Sequence, residues 1–180
     1  MVRKIIISCI AATSLILFST QAFALINFSV GVPLSHTFSG KYNGGDEVKS
    51  DGVSGYFIQI GVPILPGIGM DSYKTKLKDW SDPTDLETSI YNLYYLLPIP
   101  VINITLGAGV GSTEIKFSGS EKYFDKGPAS QVYASLGFPI IPLFDLHLSY
   151  RSVSSKVKIK SGGEHDFGGN VMGLGIGFNF

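Results

Sequence analysis

The chain has 180 residues, 44% of them hydrophobic and 16% charged, with 14 basic side chains against 14 acidic ones and a single cysteine. This balance carries no basic footprint for nucleic acid, and one cysteine excludes both a disulfide framework and a cysteine zinc site. The length suits one domain.

Arg3 and Lys4 precede an apolar run from Ile5 to Phe18, and Gln21-Ala22-Phe23-Ala24 places small residues at the two positions a signal peptidase requires. Residues 1–24 are therefore expected to be a cleaved export signal and residues 25–180 the mature domain. The run is too short and too interrupted, by Ser8, Thr13 and Ser14, to favour a permanent anchor. Cys9 lies inside it, which argues against a lipoprotein site. Cleavage removes Arg3, Lys4 and Cys9, so the mature chain is slightly acidic and free of cysteine.

Downstream, charge is confined to four clusters, between Lys41 and Asp51, Lys74 and Glu87, Glu114 and Lys126, and Lys156 and Asp166. Only Asp71, Asp145 and Arg151 fall outside them. Between clusters sit apolar segments marked by Pro63 and Pro66, by Pro98 and Pro100, and by Pro139 and Pro142. Proline cannot donate to a ladder and belongs at strand ends and turns. Charged loops alternating with short uncharged turns count out eight strands.

The first strand, from Ile26 to about Phe38, sets Ile26, Phe28, Val30, Val32 and Leu34 against Asn27, Ser29, Gly31 and Ser35. The second, Val53 to Val62, sets Tyr56, Ile58 and Ile60 against Phe57, Gln59 and Gly61. In the third, Ile68 to about Leu77, Asp71, Lys74 and Lys76 leave the facing undecided. A short helical turn near Pro83 to Glu87 is compatible with the sequence. The fourth strand, Ser89 to Leu97, opposes Tyr91, Leu93 and Tyr95 to Asn92 and Tyr94. The fifth, Val101 to Phe117, opposes Ile102, Ile104, Leu106, Ala108 and Val110 to Asn103, Thr105 and alternate glycines. The sixth, Ala129 to Phe138, opposes Val132, Ala134 and Leu136 to Gln131, Tyr133 and Ser135. The seventh, Leu143 to about Lys158, opposes Phe144, Leu146, Leu148 and Tyr150 to Asp145, His147, Ser149 and Arg151. The last, Val171 to Phe180, places Met172, Leu174, Ile176, Phe178 and Phe180 on one face and Gly173, Gly175, Gly177 and Asn179 on the other. A period of two sustained this way is a strand signal.

Eight alternating strands also suit a soluble ligand-binding barrel with its apolar face inward. The polar faces decide against it, because they carry Gly, Asn, Ser, Thr and Gln and almost no charge, unlike a face in bulk water. Such residues fill a narrow interior, while the Ile, Leu, Val and Phe band meets lipid and tyrosines near strand ends meet the interfaces. The expected fold is all-β, an eight-stranded antiparallel up-and-down transmembrane barrel.

On these features the chain resembles the small bacterial outer-membrane barrels typified by the OmpA barrel domain, OmpX and OmpW. The last strand resembles the C-terminal signal that the barrel-assembly machinery reads in that class, with Met172, Leu174, Ile176, Phe178 and terminal Phe180 as its elements. The resemblance implies an outer-membrane location, periplasmic termini and loops outside the cell.

Gly107-Ala108-Gly109-Val110-Gly111 and the glycines of the last strand lack the G-x-G-x-x-G spacing and precede no helix, so they read as room inside a small barrel. His147-Leu148-Ser149 resembles the His-x-Ser pair of outer-membrane lipid A deacylases, with Glu164 as a conceivable third member. In that family the pair works on the lipid-facing wall, whereas here its parity points inside. Gln59, Asn92, Asn103, Gln131, Tyr133, Asp145, His147, Ser149 and Arg151 are instead expected to form a polar ladder in the lumen, with Arg151 seeking a carboxylate. The outer loops, Trp80 among them, are candidates for surface contact and for lipopolysaccharide through their lysines. The reading is a monomeric, non-enzymatic barrel without cofactor or metal, structural or surface-interacting, its interior plugged by polar side chains. The alternatives are a narrow passive channel for small or hydrophobic solutes and, third, lipid A modification.

Overall fold

In the computed structural model the described residues are 26–40, 47–62, 65–78, 83–99, 102–141 and 143–179. The expected export signal, Trp80 and Phe180 lie outside them. Ten strands follow in order: β1 (Asn27–Phe38), β2 (Ser50–Gly61), β3 (Gly67–Leu77), β4 (Thr84–Ile99), β5 (Ile102–Lys116), β6 (Phe124–Asp125), β7 (Gly127–Ile141), β8 (Phe144–Ile159), β9 (Glu164–Asp166) and β10 (Gly169–Asn179). Eight of them form one antiparallel ring, β1-β2-β3-β4-β5-β7-β8-β10, closed by pairing of β10 with β1. Closure removes the free edges that an open sheet would expose. The two short strands, β6 and β9, pair with the far end of β8 and extend the wall at the loop end.

Side-chain facing follows the alternation. Val110 is 71% exposed and Ile68 63%, while Gln59, Asn103 and Gln131 are buried. β3, undecided in the sequence, turns Asp71, Tyr73, Thr75 and Leu77 inward and Lys74 and Lys76 outward. In β1 the register slips between Pro33 and Ser35. That bulge puts Ser35 outside and His36 inside, against the simple alternation. The region near Pro83 to Glu87 is not helical, because β4 begins at Thr84 and pairs with β3 from there. A 3-10 turn forms instead at Ser120–Lys122.

Along each wall the outward residues change in the same sense. Tyr150 gives way to Ser152 and then to Lys156, and Tyr91 to Ser89 and then to Glu87. Inside, the change is reversed. The lumen near the termini is polar, but at the loop end it holds an apolar cluster of Val48, Leu77, Leu86, Ile115, Val157 and Phe167. The expectation of a polar interior throughout is thus corrected for this layer. Where the strands leave the hydrocarbon and their outer face is wetted, an apolar core is what stabilises them, as in any water-soluble barrel.

Candidate functional site: the lumen

Two polar clusters occupy the bore. The first lies nearest the termini and centres on Asp145 of β8. Asp145 Oδ2 accepts from Asn103 Nδ2 at 2.5 Å and from Asn179 Nδ2 at 2.7 Å. Asn179 Oδ1 in turn accepts from Asn27 Nδ2 at 2.7 Å, and Tyr94 Oη donates to Asn27 Oδ1 at 3.3 Å. A buried carboxylate is tolerated when donors satisfy it, and here β5 and β10 supply one each.

The second cluster crosses the middle. Arg151 Nε donates to Asp71 Oδ2 at 2.9 Å. Gln131 Nε2 donates to the same oxygen at 2.5 Å and to Asn92 Oδ1 at 2.7 Å. Arg151 Nη1 also donates to Ser149 Oγ. The guanidinium lies 3.6 Å from the Phe57 ring centroid and 4.9 Å from that of Tyr133, cation–π contacts strengthened by their seclusion from water. Below it, Ser29 Oγ donates to Gln59 Oε1 at 3.0 Å and Gln59 Nε2 to Tyr133 Oη at 2.6 Å.

All nine residues singled out in the sequence for the lumen are buried. Sequence reading missed Asp71, the carboxylate that Arg151 needs. Its isolation from the charge clusters was the available signal, shared with Asp145 and Arg151. Asn27, Asn179, Ser29 and Tyr94 were also missed as partners, because nothing local says which strands face each other across a bore.

Large rings sit in notches left by glycine. A Cβ on Gly107 would collide with the Tyr133 ring, one on Gly173 with Phe57, and one on Gly177 or Gly137 with His147. Gly107, Gly137, Gly173 and Gly177 on the inner face are therefore sockets for rings of the bore.

His147 and Ser149 both point inside, as parity required, but they do not bond to each other. The His147 ring contacts Ser135 Oγ at 3.4 Å through Nδ1 and stands 4.0 Å from Asp145 through Nε2. Ser149 Oγ instead donates to the Gly173 carbonyl at 3.2 Å. Glu164 is exposed on β9 at the opposite end of the wall. A base–nucleophile pair needs direct contact or one bridging water, and His147 and Ser149 make no direct hydrogen bond. Beside His147, Ser135, Ser149, Gln59 and Arg151 a cavity of about 20 Å³ reaches the glycine pair Gly31 and Gly175, space for a single water. Among the described residues no group of His, Asp and Glu is arranged to hold a metal ion.

The ladder between β1 and β2 is short. It runs from Asn27↔Gly61 to Gly31↔Phe57, and residues 32–38 of β1 have no ladder partner on β2. Pro33, the bulge after it, and Gly52 and Gly55 at positive φ (121° and 149°) interrupt regular pairing there.

No protein-family model matches the sequence, and no curated protein matches it. Among solved structures the fold is similar to that of Neisserial surface protein A, with a TM-score of 0.61 and 14% identity over 86% of this chain and 97% of that one. It is likewise similar to the outer membrane protein OprG from Pseudomonas aeruginosa, with a TM-score of 0.56 and 13% identity over 87% and 96%. At this identity the likeness is one of fold, an eight-stranded barrel whose apolar side chains face outward.

Proposed function

We propose that this chain, whose fold is similar to that of small eight-stranded outer-membrane barrels, serves in the outer membrane as a non-enzymatic structural or surface-interaction protein with a closed bore. The ion pair between Asp71 and Arg151 carries this reading. It lies across the lumen, flanked by Gln131, Asn92 and the Phe57 and Tyr133 rings, with the apolar cluster of the loop end stacked above it. An eight-stranded bore has room for little beyond its own side chains. Planar-bilayer recording of the refolded protein is the test. No steady conductance above background is expected, and reproducible channels would defeat the closed-bore reading.

We set catalysis aside because His147 and Ser149 both point into the bore, away from lipid, and make no hydrogen bond to each other. His147→Ala should accordingly leave the lipid A mass spectrum of the host unchanged. A surface role falls to the loop end, where charged residues face water. The outward apolar series of β10 is the natural handle for the assembly machinery.

A second reading, slow passage of a small hydrophobic solute through the wall, is favoured by the short β1–β2 ladder. Continuing its register sets Leu34 opposite Ser54. A disulfide between Leu34→Cys and Ser54→Cys should then abolish solute entry into proteoliposomes. If oxidation leaves entry unchanged, that seam is not the route.

A further inference from the structure

The end of the barrel that carries the chain termini closes on three apolar turns. Val62 and Leu65 flank the first, Ile99 ends β4 at the second, and Ile140, Ile141 and Leu143 line the third, all six side chains being 41–63% exposed. No Asp, Glu, Lys or Arg occurs in residues 52–70, 88–113 or 127–144, which comprise the turns and the strand segments leading into them. Short turns standing in water ordinarily carry Gly, Asn, Asp or Ser. Leu143 makes the contrast sharpest, because its φ of 74° lies in the left-handed region, where Gly or Asn is the usual choice, yet the chain keeps an exposed leucine there.

The lipid-facing band is too short if it ends where those turns begin. On β8 the outward apolar residues run only from Phe144 to Tyr150 before Ser152. Six residues at about 3.3 Å each, tilted by about 40°, rise about 15 Å, against an apolar band of about 25 Å in barrels of this kind. On β3 only Ile68 and Met70 precede Ser72 and Lys74. The turns supply the missing height.

The rings of the outer wall point the same way. Toward the loops they are Tyr56, Tyr91 and Tyr150, each with a polar end. Toward the turns Phe28, Phe178 and Phe144 follow one another across β1, β10 and β8 at 6.1 and 5.0 Å, with Phe138 on β7, and only β4 has a tyrosine there, Tyr95. Phenylalanine has no polar end to set at a water boundary. A turn placed in lipid must not leave donors unpaired. Leu65 N–H donates to the Val62 carbonyl at 3.1 Å, and Asn179 N–H to that of Leu143 at 2.9 Å. Pro63, Pro66, Pro98, Pro100, Pro139 and Pro142, six of the nine prolines, belong to these turn segments of the sequence and have no N–H to lose.

We infer that these turns are seated at the acyl–glycerol boundary of the leaflet on the side of the chain ends, as a continuation of the lipid-facing wall, instead of standing in the water beyond it. The occupant of the apolar rim is phospholipid. The barrel is then anchored asymmetrically, with an immersed rim at one end and a wetted extension at the other, and any partner in water is met at the loop end.

Residues 25–180 contain no cysteine, so single cysteines can carry a fluorophore. A bimane label at Leu65→Cys or Ile140→Cys, in the mature chain refolded into phosphatidylcholine vesicles, should be quenched by phospholipid bearing a nitroxide on its acyl chain, as should a label at Leu148→Cys in the lipid-facing wall. Iodide present on both sides of the membrane should quench the turn labels severalfold less than a label at Lys158→Cys at the loop end. Ile99→Cys repeats the measurement at the second turn, and heat-dependent migration on gels reports that each variant is folded. Iodide quenching at the turns equal to that at Lys158→Cys would put them in water and overturn the inference, and so would protection from both quenchers, which would mean that protein covers the rim. A label at Leu148→Cys that escapes the lipid quencher would instead overturn the membrane-spanning reading on which the inference rests.

Discussion

Asp71 of β3 and Arg151 of β8 stand four strands apart in either direction around the ring, and they meet at 2.9 Å through the centre of the bore. Both side chains are almost wholly buried. A buried pair of this kind is weak evidence for net stability, since desolvating both ions offsets much of their attraction. What it does firmly is make either partner costly to remove alone.

Arg151→Met should therefore destabilise the barrel by about 3–5 kcal/mol, because it leaves Asp71 charged and uncompensated. The double change Asp71→Leu with Arg151→Met should recover most of that loss. Reversible urea unfolding in lipid vesicles measures both. A double variant as unstable as the single one would mean that the polar partners, rather than the charges, hold the middle of the bore.

Gly177→Ala places a methyl group against the His147 imidazole, and the ring cannot retreat because Gly137 hems its other side. A loss of about 1–3 kcal/mol is expected, the usual cost of overpacking. His147→Ala in the same background should relieve it. The same unfolding titration, run as a double-mutant cycle, reads the coupling.

At the loop end Phe167 is completely buried between the Phe38 and His165 rings and the apolar cluster. Phe167→Ala should cost about 3–5 kcal/mol locally. Because the ring lies beyond the two polar clusters, the membrane-embedded ladders should persist. Protease cleavage between β8 and β10 should accelerate while the heat-dependent gel shift of the folded barrel remains.

His165, on β9 outside the membrane-spanning strands, has its pKa lowered by burial against neighbouring rings. A base whose folded pKa lies below its unfolded value of 6.5 binds protons more readily when its surroundings open. The extension formed by β8 and β9 is thus fully stable above that value and loses stability as pH falls from it towards the lowered one. Hydrogen exchange of the Lys158 and His165 amides should accelerate over that interval. His165→Gln should flatten the response, and a pH dependence that survives the substitution would point to another group.

Alternation in the sequence was enough to count eight barrel strands and to assign inner and outer faces to seven of them. A period of two needs no partner to be visible, and lipid imposes it on every spanning strand. Alternation failed where it was locally broken. In β1 the bulge beyond Pro33 reversed the facing of Ser35 and His36. In β3, lysines on an outer face already clear of hydrocarbon looked like an error in the pattern. The apolar cluster of the loop end was misread for the same reason, since the polarity of the two faces exchanges where the wall passes from lipid into water.

Residue order by itself determined the class of this protein, because burying backbone polar groups in a bilayer with short alternating segments leaves a closed barrel as the solution. Only the tertiary structure decided which polar groups meet inside it. Asp71 and Arg151 are eighty positions apart along the chain, and their encounter depends on the register and closure of all eight ladders, a geometric sum that no local stretch of sequence contains.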